Sequence, residues 1–301
     1  MMTFEDFLQL SSQEVAALVR ESGPHVVVFP INGTRRWFIL EHGGQSCDDP
    51  LEAYIDKVGR QTIEWNRLIF DHGIHTLLIP VLGHEMLETR EHYMEQVGVR
   101  GLAQIATHPD FLSFYQEYGV RVRFYGDYRP KILSTPYADL LGMFEETMAK
   151  TGQNDRHRLF YGVFADDATS TLARLSIQYY HEHGAVPDKQ TLIQLYYGEV
   201  LPPADIFIGF DKFAVYDYPL LSSGQEDLYF TAAPSLYMTE RQLRAILYDH
   251  LYLRKVSELQ YETLSAQEWK RLRQFYCDYR HVTLGIGRLE NGVWLPRLGR
   301  D

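Results

Sequence analysis

Six short apolar runs, most of them separated by helix-length stretches, constrain this 301-residue chain more than any other feature. They span residues 25–29, 75–82, 120–125, 158–164, 206–210 and 228–231. Strands joined by helices need crossover connections. The pattern therefore predicts an α/β fold with a mainly parallel central sheet flanked by helices. Helical patterning fills residues 4–20, 50–70, 86–118 and 137–150, and continues from the end of the fourth run to about 183. Asp49-Pro50 has the chemistry of a helix start, since Asp caps and Pro suits the first turn. A break is expected at His108-Pro109, and Asp188 and Thr239 cap two later helices, the second over residues 240–254. Ser11 and Glu14 have capping-box spacing. From Ser265 the chain reads as one helix and irregular segments. No repeat or Pro/Gly/Ser-rich linker divides the chain, which predicts one domain over residues 1–301.

Parallel sheets bind ligands beyond the carboxyl ends of their strands. Four such ends carry polar groups: Asn32 to Arg36, Gly126-Asp127, Asp166-Asp167 and Asp211. The first is the most specific. Asn32-Gly33-Thr34-Arg35-Arg36-Trp37 leaves a strand and opens a helix. Glycine lets the backbone approach a ligand, the helix start offers N–H groups and partial positive charge, and two arginines add forked donors. The combination suits a diphosphate cradle, although an ordinary βα loop with solvated arginines has the same pattern. A metal–diphosphate site normally wants a carboxylate here, and the chain has neutral Asn32.

A net charge of −11 argues against a nucleic-acid partner. The 21 Tyr and 16 Phe suit a large core and a pocket for a greasy ligand. Cys47 and Cys277 lack zinc spacing, which predicts free thiols and a cytoplasmic location. Residues 1–18 do not resemble a signal peptide, and no apolar run approaches the ~20 residues of a membrane span. Peripheral membrane contact stays open. Phosphate-loop, dinucleotide, zinc-protease, hydrolase and Asp-rich DDxxD motifs are absent. Glu85 and Glu88 are spaced for one helical face, as a dipole-complementing start or a metal or base contribution. Asp166-Asp167 is explained by helix capping.

The run from Asn32 to Trp37 resembles the opening motif of the cis-prenyltransferase family, a strand followed by Asp-Gly-Asn-Gly-Arg-Trp. The likeness is closer to the tuberculosinol synthase branch, which has the same Gly-Thr-Arg-Arg-Trp-Phe run as Gly33 to Phe38. That branch also matches Phe124-Tyr125-Gly126-Asp127-Tyr128, Gly162-Val163-Phe164 and Tyr196-Tyr197-Gly198-Glu199. Further collinear matches are Phe207 to Phe210, Pro219 to Gly224, Leu228 to Thr231, Ala233-Pro234-Ser235 and Ile246 to His250.

The resemblance implies a Mg²⁺-dependent diterpene synthase acting on a bicyclic diterpenyl diphosphate, of kolavenyl or tuberculosinyl (halimadienyl) type, supplied by an upstream class II diterpene cyclase. Gly33, Thr34, Arg35, Arg36 and Trp37 would bind the diphosphate. Tyr54 and Tyr93 match the branch's active-site tyrosines, Tyr54 with a short insertion after Asp49. Ser222, Ser223 and Gly224 occupy the region where elongating relatives bind isopentenyl diphosphate. Those enzymes carry an arginine after the fifth strand, where this chain has Gly209-Phe210. That difference argues for a single-substrate reaction. Asn32 occupies the place of the branch's catalytic and metal-binding aspartate. An inactivating Asp-to-Asn change that traps substrate is the favoured reading. A naturally silent homologue and an enzyme using another acid are the others. Transfer to a nucleophile such as adenosine is the alternative to capture by water. Relatives of this fold dimerise through late helices, and Leu243, Ile246, Leu247 and Leu251 form a stripe that fits either a homodimer or packing on the chain's own sheet.

Overall fold

The computed structural model describes residues 2–43, 49–83, 97–165, 168–254 and 263–297. Its centre is a six-stranded sheet of β1 (Val26–Val28), β2 (Thr76–Leu82), β3 (Val120–Tyr125), β4 (His157–Val163), β5 (Ile206–Phe210) and β6 (Asp227–Thr231). The spatial order is β3-β4-β2-β1-β5-β6, and every pairing is parallel. All six runs read from the sequence are strands. Side chains alternate across the sheet as the two-residue period requires. Val27, Leu77, Leu159 and Ile206 enter one buried cluster, and Val26, Val28, Leu78, Phe160 and Phe207 the other. Burial on both faces explains why the strands are continuously apolar. β1 lies between β2, which leads away toward β3, and β5, which leads toward β6. Its carboxyl end is thus the topological switch point, where such sheets leave a crevice.

The helix starts follow their caps. The Asp49 carboxylate accepts the Leu51 and Glu52 N–H groups and opens helix Pro50–Asp71. His108 separates helices Val99–Thr107 and Pro109–Glu117. Asp188 and Thr239 cap Lys189–Tyr197 and Glu240–Tyr248. The 4–20 stretch is two helices, Phe4–Gln9 and Ser12–Ser22. Its capping box marks the second start, because the Ser11 side chain can accept the Glu14 N–H only while the Ser11 backbone is extended. Helix 240–254 stops at Tyr248 and gives way to a wider turn over Asp249–Leu253.

Leu243, Ile246, Leu247 and Leu251 are buried in the chain's own core. Arg244 also reaches back to the Leu10 carbonyl at 2.6 Å. Of the two uses left open for this stripe, the structure shows packing on the chain's own core. Beyond Ser265 lie helix Ala266–Tyr279 and an antiparallel hairpin, Gly287–Glu290 with Val293–Pro296, which the sequence reading treated as irregular.

Candidate active site at the β1 rim

Pro30 ends the β1 ladder because it has no N–H to donate. Asn32 and Gly33 then turn the chain into helix Thr34–His42. Gly33 has φ +74°, the left-handed region where a side chain is strained, and an added Cβ would lie 2.7 Å from the Phe210 ring and 2.9 Å from Pro234. No side chain caps this helix. Among the described residues its first N–H groups are thus left without a capping side chain, which suits them to an anion. Trp37 is buried beneath them, and Arg35 is exposed. Arg36 lies over the Phe210 ring at 5.4 Å and 3.7 Å from the Asp211 carboxylate.

Asn32 is fixed from three directions. Its N–H donates to Ser235 Oγ at 3.0 Å, and its carbonyl accepts the Ser235 N–H at 3.0 Å. Ser235, fully buried, also donates its hydroxyl to the Pro30 carbonyl at 3.3 Å. In the side chain, Asn32 Nδ2 donates to the Tyr216 hydroxyl. Burial pushes that phenol up to about 12, against a smaller downward effect of the bond from Asn32, so it keeps its proton at neutral pH.

Thr34 and Tyr54 hydroxyls meet at 2.7 Å, joining the cradle to helix Pro50–Asp71. They stand at the edge of a cavity of about 140 Å³ that runs between β2 and helices Pro50–Asp71 and Val99–Thr107. Ile31, Val58, Ile79, Leu82, Leu102 and Ile105 supply apolar walls, with Tyr161 and Thr62 among the polar lining. The Tyr161 hydroxyl contacts that of Tyr115 at 3.0 Å. Burial pushes the Tyr161 hydroxyl well up, with the contact to Tyr115 the larger of the effects that oppose it. Asn66 is buried nearby, and among the described residues neither of its amide atoms has a hydrogen-bond partner.

The structure brings Asn32, Gly33, Thr34, Arg36, Trp37 and Tyr54 to the carboxyl end of β1, with Arg35 exposed beside them. Tyr93, Glu85, Glu88, Asp166, Asp167 and Cys47 lie outside the described residues. Cys277 is an exposed free thiol. Ser222, Ser223 and Gly224 are not brought to Asn32. They precede Asp227, which pairs with Ile206 at the amino ends of β6 and β5. Both serine hydroxyls donate to Glu226. Burial alone would raise Glu226, but these bonds and those from Tyr218 and nearby backbone N–H groups bring it down to about 2. Gly126-Asp127 also lies elsewhere, with Asp127 paired to Arg174.

Magnesium takes oxygen ligands and commonly only one or two from protein, with phosphate oxygens supplying others. Asp211 fits that chemistry, since its Oδ1 is buried without a hydrogen-bond partner among the described residues. Asn32 fits it poorly, being neutral and turned toward Tyr216 through its nitrogen. Among the described residues, no group of three or more His, Cys, Asp or Glu gathers around a common point.

No family model matches the chain. Tuberculosinyl adenosine transferase of Mycobacterium tuberculosis (strain CDC 1551 / Oshkosh) is 41% identical over 292 residues, covering 96% of this chain and 97% of that protein. The chain belongs to the family of tuberculosinyl adenosine transferase. The (+)-kolavelool synthase of Herpetosiphon aurantiacus is 27% identical over 285 residues, covering 93% and 91% of the two chains. The fold of this chain is that of cis-prenyltransferases. Lavandulyl diphosphate synthase from Lavandula x intermedia superposes with a TM-score of 0.60 at 17% identity, over 79% of this chain and 97% of that one. A probable undecaprenyl diphosphate synthase from Campylobacter jejuni gives 0.54 at 13%, over 78% and 97%. Among the described residues, no helix of this family member is long and apolar enough to cross a membrane.

Proposed function

We propose that the chain, with Asn32 hydrogen-bonded to Tyr216 in the site rather than acting as an inactivating, substrate-trapping change, ionises a bicyclic diterpenyl diphosphate of kolavenyl or tuberculosinyl type and captures the allylic cation with water. The observation that carries this reading is the continuity of an anion cradle with an apolar pocket through Thr34 and Tyr54. The C–O bond breaks and its electron pair leaves on the diphosphate oxygen. Water adds at the tertiary carbon and loses a proton, giving a diterpene alcohol and diphosphate. The helix start and Arg35 and Arg36 stabilise the departing charge in place. Magnesium, when bound, neutralises part of that charge, and Asp211 is the residue that would hold it. Tyr54 and the aromatic walls present electron-rich faces to the cation.

The name of the 41%-identical relative favours a second reading, transfer of the terpenyl group to adenosine. Incubation with either diphosphate, with and without adenosine, separates the two by mass spectrometry. Alcohol irrespective of adenosine supports the hydratase; an adenosine adduct supports the transferase. Binding without product would place the chain among diphosphate-binding homologues. The substrate's chemistry requires an upstream cyclase that forms the rings while retaining the diphosphate.

A further inference from the structure

Tyr216 is absent from the site read in the sequence, yet its hydroxyl is the group against which the Asn32 side chain rests. The direction of that bond matters. Asn32 Nδ2 is the donor, so the phenol oxygen is the acceptor and its own hydrogen is directed elsewhere. Among the described residues nothing takes that hydrogen. A carboxylate at position 32 would reverse the arrangement. It would accept a hydrogen bond from the phenol and place a negative charge beside the diphosphate cradle.

The loop that carries Tyr216 is held firmly. Tyr125 donates its hydroxyl to the Asp217 carbonyl at 2.8 Å, and Tyr197 donates to the Pro219 carbonyl at 2.7 Å. These tyrosines belong to the matched runs 124–128 and 196–199, neither of which lines the apolar pocket. Their rings pack at 4.9 Å. Phe207 meets the Tyr216 ring edge-on at 5.8 Å, and Phe213 stacks on Phe230 at 4.7 Å. Asp211, Asp217 and Leu220 all have positive φ, so the loop follows a path that local preference alone would not choose.

We infer that Asn32 and Tyr216 act as an amide–phenol pair in which the Tyr216 hydroxyl donates a hydrogen bond to the departing diphosphate. This rests on the proposed ionisation. No proton need move: the C–O electron pair goes to the diphosphate oxygen, which accepts the Tyr216 hydrogen bond as its charge grows. Tyr216 is then a catalytic residue, Tyr125 and Tyr197 are positioning residues, and Asn32 is the residue that frees the donor.

The test measures inorganic diphosphate release from kolavenyl and tuberculosinyl diphosphate, with substrate affinity and thermal melting measured alongside. Tyr216→Phe is expected to lower kcat by roughly 100-fold, the usual effect of losing one preorganised donor. Its KM and melting temperature should barely move. Fluorotyrosine at position 216 should restore kcat, because it keeps the ring and strengthens the donor. Unchanged kcat in Tyr216→Phe, or a loss that fluorotyrosine does not rescue, would overturn the inference and leave the proposed function standing. Substrate binding without release by the unmodified chain, with release after Asn32→Asp, would also overturn it. Failure of the folded unmodified chain and of Asn32→Asp both to bind and to release would end the proposed function and the inference together.

Discussion

At Gly33 two constraints coincide. The backbone is left-handed, and the space where a side chain would begin is filled by Phe210 and Pro234. Gly33→Ala should cost roughly 1–2 kcal/mol from backbone conformation alone. The contact adds to this by pushing the helix start away from β5. Displacement of the helix start should also weaken inorganic diphosphate binding in calorimetric titration, and unchanged affinity would place the anion away from this helix start. Ser235 is a second single-residue test. Ser235→Ala leaves the Asn32 N–H without its 3.0 Å acceptor, and urea unfolding should report a loss of about 1–3 kcal/mol. Legibility divides cleanly at this scale. The cradle was readable because its groups lie close in sequence. Tyr54 entered only through the family resemblance, and its contact with Thr34, twenty residues away, was not foreseen. Tyr216 and Ser235 lie 184 and 203 residues from Asn32, and no local spacing announces either contact. Ser235 stood only within a matched run, without a role.

Among the elements, helix Val99–Thr107 determines the pocket's width. Gly101 lines the cavity, and a Cβ built on it meets nothing within 4 Å among the described residues. Gly101→Leu should therefore enter the pocket rather than disturb the fold. Turnover of a twenty-carbon diphosphate should fall roughly 10- to 200-fold, as for a few methylenes of lost room, while inorganic diphosphate binds as before. Equal turnover would move the terpenyl chain out of this pocket. The strands were legible because apolar runs of four to eight residues with turn residues between them have few other uses in an α/β chain. The Gly287–Glu290 and Val293–Pro296 hairpin was missed although Asn291-Gly292, both at positive φ, is the pair that favours a two-residue hairpin turn. Its strands are four residues each, too short for alternation to stand out.

The whole molecule should lose stability on mild acidification. His157 starts β4, stacks on Phe70 at 4.3 Å, and meets the Ile74 carbonyl at 3.1 Å. Burial, with Arg156, His75 and Arg20 adding to it and Ile74 opposing, brings it from 6.5 to about 4. Between those values the unfolded chain takes up a proton that the folded chain refuses. Stability is thus fully present above pH 6.5 and declines as pH falls toward 4. The loss should be roughly 1–3 kcal/mol by linkage, and urea titrations at several pH values should show a shallower slope in His157→Gln. Self-association, if it occurs, needs a face other than the Leu243–Leu251 stripe. Helix Ala266–Tyr279, which has no buried residue and exposes Trp269, Phe275 and Tyr276, is the surface to perturb in a light-scattering experiment. A change in molecular mass on Phe275→Glu would identify it.

The central claim is cleavage of carbon–oxygen rather than phosphorus–oxygen bonds at the β1 rim. The most direct measurement is turnover of kolavenyl or tuberculosinyl diphosphate in ¹⁸O-labelled water, with mass analysis of both products. The account predicts a tertiary alcohol carrying one solvent oxygen and a released diphosphate carrying none. A primary alcohol that keeps the substrate's oxygen, with label in the released phosphate, would contradict it and make the protein a phosphatase.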